Sequence, residues 1–197
     1  MIWKRKKDSS EFKPDANPST WLKTSRLTQQ QRLRLTKWGL YTLAMVVMLV
    51  IQDTIMSQFR FLGATTDLCA CVILLITVIE GTEVGSVFVL LASLFYYFSG
   101  SAPGAYCVLL LTVLGVFATM LRQMYLHRSK GSILLCSSMA LILYEVSLFV
   151  VGIFNELTRA GRITSFVLTG VYTSLIMILI YPVIYKIGLI GGNTWKE

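Results

Sequence analysis

Charge is scarce in this sequence. Only 14% of its 197 residues are Asp, Glu, Lys or Arg, against about 25% in an ordinary soluble domain. Histidine occurs once, at His127, beside Arg128, where a solvated surface role is the expectation. One histidine in a basic loop is poor material for general base catalysis. There is no Gly-x-Ser-x-Gly, no His-Glu-x-x-His and no Walker-type phosphate loop, so nothing points to an enzyme or to a bound cofactor. The four cysteines, Cys69, Cys71, Cys107 and Cys136, lie in or beside apolar runs and make no Cys-x-x-Cys pair. Cys69 and Cys71 are two apart and point to different faces of a helix. A disulfide framework or thiolate metal site is not expected, and small packing residues are.

What the chain has instead is apolar sequence: 55% of it is hydrophobic and the mean hydropathy is +0.67. The apolar residues come in runs about twenty long, the length that crosses the hydrocarbon core at 1.5 Å per residue. The expected fold class is all-α, a polytopic membrane bundle of six transmembrane helices over residues 37–190. It lies between a basic tail, 1–36, that is disordered or on the membrane surface, and a short tail, 191–197. Spans are expected at about 38–57, 67–80, 83–98, 105–121, 133–154 and 163–185. The second is short for a crossing, so a thinned or untilted arrangement is implied. The first apolar run lies behind a long charged tail, so it reads as a retained signal anchor and not a cleaved peptide. Within the tail, 21–37 is a weak candidate for a surface helix touching lipid through Trp21, Leu22, Leu33 and Leu35.

The net charge of +8 invites a nucleic-acid reading, but the placement of the cations argues for topology. Ten precede the first apolar run: Lys4, Arg5, Lys6, Lys7, Lys13, Lys23, Arg26, Arg32, Arg34 and Lys37. With both termini in the cytoplasm, fifteen of the eighteen Lys and Arg fall inside, including Arg122, Arg128, Lys130, Lys186 and Lys196. Only Arg60, Arg159 and Arg162 fall outside, as the positive-inside rule requires. Juxtamembrane cations of this kind also attract anionic lipid.

Several residues stand out against the apolar background. Glu145 is in the middle of the fifth run, with Ser138 seven before and Gly152 seven after on one face. Intramembrane acids are proton relays, substrate contacts or hydrogen-bonded packing groups. No second acid or base obviously faces Glu145, which favours the packing role. Asp53, near the outer end of the first span, and Asp67, opening the second, lie on one side with Arg60 near both in sequence. Asp67 suits a helix cap. Glu80 and Glu83 flank Gly81 in a tight cytoplasmic turn that makes the second and third spans antiparallel neighbours. Gly81 and Gly85 give a weak Gly-x-x-x-Gly. Gly100 and Gly104 belong to a small-residue loop, and Pro182 is expected to kink or end the last helix.

The run Thr66-Asp67-Leu68, then Glu80-Gly81 and Gly85, then Ser99-Gly100-Ser101-Ala102-Pro103-Gly104 resembles the MreD family, rod shape-determining membrane proteins of bacteria. The resemblance spans about residues 40–190, and its motifs are short and of common residues. It implies a non-enzymatic scaffold in the inner membrane, serving the cell-elongation machinery beside MreC, the MreB cytoskeleton, the RodA glycosyltransferase and a class B penicillin-binding protein. It also implies a fold similar to the substrate-binding subunits of energy-coupling-factor vitamin transporters. The family's proline before the Asp is Thr66 here, and an acidic residue common in the following span is Tyr96. No role is transferred to Tyr96. The alternative is a vitamin-uptake subunit with a polar pocket near Asp53, Asp67 and Glu145. Such subunits present small residues on the first helix, where this chain has Ala44 among Met45, Val46, Val47 and Met48. A proton-coupled transporter using Glu145 ranks third.

Overall fold

The computed structural model describes residues 29–56, 65–125 and 130–190. Arg60, His127, Arg128, Lys196 and the segment 1–28 lie outside the described residues. Six α-helices make up nearly all of the rest: α1 Gln29–Ile51, α2 Leu68–Glu80, α3 Thr82–Phe98, α4 Tyr106–Tyr125, α5 Lys130–Phe154 and α6 Ile163–Gly188. α1 ends in a π-helical turn, Gln52–Met56, and a 3₁₀ turn, Ala160–Arg162, leads into α6.

The organisation follows from α2. Its sequence, Leu-Cys-Ala-Cys-Val-Ile-Leu-Leu-Ile-Thr-Val-Ile-Glu, is apolar on every side, and each of its 13 residues is buried. A helix apolar all round has no face for water and must be enclosed. The other five helices enclose it, in the order α3, α4, α5, α6, α1, each packing on α2 and on its neighbour in the ring, while the ring stays open between α1 and α3. The outer surfaces are also apolar: Leu43, Val47 and Val50 on α1, Leu109 and Val113 on α4, Leu175 and Leu179 on α6 are all exposed. Apolar side chains inside and outside alike are the pattern of a bundle in lipid.

Four helices are long and apolar enough to cross a membrane: 30–55, 106–124, 131–154 and 163–188. They mark a membrane-embedded protein. α2 and α3 are shorter, at 13 and 17 residues. α2 therefore measures about 20 Å along its axis, some 10 Å less than a hydrocarbon core. Its sheath covers α2 completely, and polar groups gather at its N-terminal end.

Gly81 and Gly85 set the α2–α3 turn. Gly81 has φ of 87°, a left-handed conformation, and its N–H caps Thr77 O at 3.1 Å. At Gly85 a Cβ would stand 2.5 Å from the Thr77 carbonyl oxygen, so only glycine lets α3 lie this close to α2. Pro182 does not terminate its helix, one of the two outcomes expected for it. α6 continues through it to Gly188, with the proline exposed, so it neither ends the helix nor crowds the core. α1 likewise starts well before Trp38. Arg32, Leu33, Arg34 and Leu35 alternate in character but are helical and exposed.

Candidate functional site

Two polar clusters interrupt the apolar interior, one at each end of α2. At its C-terminal end Glu80 is buried, although a cytoplasm-facing position was expected. Its carboxylate takes Lys37 Nζ at 2.6 and 2.9 Å and the Tyr41 hydroxyl at 2.6 Å. Lys37, expected as a tail charge, is buried as well, its ammonium 5.8 Å from the Tyr41 ring centre. Arg122, expected in a basic loop, is in α4, buried, and donates to Val78 O. These contacts bind α1 and α4 to the end of α2. Glu83 is exposed in the first turn of α3.

At the N-terminal end Asp67 caps α2: its Oδ1 accepts from Ala70 N at 2.9 Å. The same oxygen accepts the Tyr96 hydroxyl at 3.1 Å. Tyr96 is fully buried and supplies a donor to Asp67. Gln52 opens the π-helical turn of α1, and the wider turn aims its side chain inward. Its Oε1 accepts Cys69 N–H at 2.8 Å and its Nε2 donates to the Tyr96 hydroxyl at 3.4 Å. Thr173 of α6 accepts the Asp67 N–H at 3.3 Å. Asp53 faces outward and accepts from Ser101 Oγ at 2.7 Å, tying α1 to the loop that carries Gly100 and Gly104. Thr66 is buried, and its hydroxyl has no hydrogen-bond partner among the described residues.

Above this cap lies a cavity of about 490 Å³, lined by Gln52, Asp67, Tyr96, Ser101, Glu145, Leu148, Arg162, Phe166 and Thr169 among others. Ligand pockets usually fall in the range of about 300–1,000 Å³. Glu145 reaches it from α5, where Gly170 of α6 leaves room: a Cβ there would meet the Glu145 Cγ at 3.5 Å. Glu145 is 3% exposed. The expectation that no acid faces it is corrected, since Asp67 shares its cavity. The expected small polar face is corrected too. Ser138 is half-buried with its hydroxyl on Leu135 O, and Gly152 packs against Thr158. Arg162 stands exposed at the rim. It is brought there by the turn after α5, in which Gly152 O accepts the N–H groups of Leu157 and Thr158 at 2.9 and 3.1 Å.

Asp67, Glu145 and, at one remove, Asp53 are thus brought to one end of the bundle, and Glu80 to the other. Sequence reasoning did not connect Tyr96, Arg162 or Thr169 to the site. The four cysteines are buried free thiols, and no cluster of three or more metal-ligating side chains occurs among the described residues. Fold and site together define a membrane-embedded helical protein with a polar, acidic cavity at one end of an enclosed central helix. Comparison with protein-family models, curated proteins and solved structures returns no match.

Proposed function

We propose that this chain is a non-enzymatic, MreD-like membrane scaffold of the bacterial cell-elongation machinery. In this reading it crosses the inner membrane six times with both termini in the cytoplasm. It maintains rod shape by holding an MreC-like protein, a RodA-like glycosyltransferase with its class B penicillin-binding protein, and the MreB-like cytoskeleton together, while its basic tail meets anionic lipid. The observation that carries it is the gap in the ring. α1 and α3 touch through Trp38 and Phe88, 5.6 Å apart between ring centres. Beyond that contact they enclose an apolar groove of about 560 Å³ lined by Met45, Val84, Val87, Leu91 and Phe95. A groove of that kind within a bundle in lipid accepts a partner's apolar helix through close packing. Co-purification from membranes tests it, with Leu91→Trp filling the groove. An MreC-like or RodA-like protein should come down with the native chain and be depleted with the variant. Failure to recover either partner with the native chain ends the proposal.

A second reading, a ligand-binding subunit of a vitamin-uptake transporter, is favoured by one feature, the cavity at Asp67 and Glu145. Tight binding of a vitamin by the purified protein would reverse the ranking.

A further inference from the structure

The Glu145 carboxyl is buried, lines the cavity, and has no hydrogen bond or ion pair among the described residues. Several groups around it are already engaged. Asp67 Oδ1 holds Ala70 N–H and the Tyr96 hydroxyl, the Gln52 amide holds Cys69 N–H and Tyr96, and the Thr169 hydroxyl donates to Ser165 O at 2.9 Å. The Glu145 carboxyl itself neither donates to nor accepts from a described residue. An unsatisfied ionisable group inside a membrane bundle is the costly arrangement that a bound ligand relieves.

We infer that this cavity binds a small zwitterion, its ammonium on Glu145 beside Asp67 and its anionic group on Arg162 at the rim. An ammonium brings three donors and a positive charge to a site that holds two carboxyls. A bare metal ion fits poorly, since the cavity has room for several carbon atoms and Leu148 and Phe166 form part of its wall. A purely cationic amine would leave Arg162 idle, and a purely anionic ligand would face the two acids. The same chemistry belongs to free amino acids and to the ethanolamine headgroup of a phospholipid. The inference deepens the ligand-binding reading and is independent of the scaffold one.

Binding to the full-length protein in phosphatidylcholine nanodiscs, read by calorimetry and by thermal stabilisation, tests it. The probes are glycine, β-alanine, 4-aminobutyrate and O-phosphoethanolamine, with ethylamine, acetate, sodium chloride, riboflavin and biotin as contrasts. A parallel arm replaces part of the phosphatidylcholine with phosphatidylethanolamine. At least one zwitterion, or the phosphatidylethanolamine, should stabilise the protein, and which of the two does so identifies the source. Glu145→Gln should lower that affinity roughly tenfold or more, the ratio expected for a lost charge-assisted bond. Arg162→Ala, at an exposed position that leaves folding intact, should weaken the zwitterion and leave ethylamine unchanged. The inference is overturned if no zwitterion or phosphatidylethanolamine acts, or if Glu145→Gln and Arg162→Ala both bind as the native protein does. Riboflavin or biotin binding with every zwitterion silent also overturns it, while leaving the vitamin-binding reading standing.

Discussion

Removing the Lys37 ammonium while leaving Glu80 in place should be among the most damaging single changes in the bundle. Lys37 Nζ is 2.6 Å from one Glu80 oxygen and 2.9 Å from the other, and both residues are buried. At an effective dielectric constant near 20, opposite charges at that separation attract by about 6 kcal/mol. Desolvating two ions offsets much of this, so the net worth of the pair is small. The asymmetry lies in breaking it. Lys37→Met strands a carboxylate that keeps, among the described residues, only the Tyr41 hydroxyl, and an uncompensated buried charge of this kind costs about 3–5 kcal/mol. Lys37→Met with Glu80→Gln removes both charges and keeps an acceptor for Tyr41, so the double variant should lie within about 1–2 kcal/mol of the native protein. The coupling between the two positions should then exceed about 2 kcal/mol. Unfolding by SDS in mixed micelles measures it, followed by circular dichroism and by the fluorescence of Trp38, whose ring centre is 5.7 Å from that of Tyr41. Additive single effects, or a Lys37→Met variant within about 1 kcal/mol of native, would refute the reasoning.

Three further outcomes are expected. Gly85→Ala should destabilise by about 1–3 kcal/mol in the same assay because its Cβ collides with the Thr77 carbonyl, whereas Gly39→Ala, in helix α1 with nothing within 4 Å of a new Cβ, should be neutral or gain up to about 1 kcal/mol. Tyr96→Phe removes a donor from Asp67 and should cost about 1–3 kcal/mol. Deletion of residues 1–28 leaves Arg32, Arg34 and Lys37 ahead of the apolar run, so the N-terminus should remain on the same side, as read by labelling single cysteines from either face.

The helices were legible and the polar contacts were not. Within the described residues every expected apolar run is helical, since a helix satisfies its N–H and C=O groups within the segment itself. The capping role of Asp67 was legible from its place at the head of a run, and the tight turn from Gly81. Lys37 was misread as a tail charge because its partner lies 43 residues away, and nothing local to either residue signals the other. Tyr96 was set aside because it is not an acid, yet the site uses its hydroxyl to serve one. Glu145 was identified as exceptional, but its surroundings come from three other helices and no periodicity along α5 reveals them. Sequence periodicity finds faces, while a cavity is a property of several faces at once.

The short central helix links these observations. α2 is too short to match the helices around it, which leaves a layer at one end of the bundle with no apolar helix at its centre. Polar groups from α1, α3, α5 and α6 converge there, beyond the N-terminal end of α2. Most of those groups satisfy one another or the helix end: Gln52, Asp67 and Thr173 take the N–H groups of Cys69, Ala70 and Asp67, and Tyr96 donates to Asp67. Had the layer served packing alone, Glu145 would be expected to join that network or be replaced by an apolar residue, since an unpaired acid there only weakens the bundle. Among the described residues it joins no hydrogen bond of the cap, and the zwitterion inferred above would supply its partner. Terminating a short helix and forming a binding cavity are then one arrangement, and the stability of the cap under Glu145→Gln is the measure of how far the two jobs can be separated.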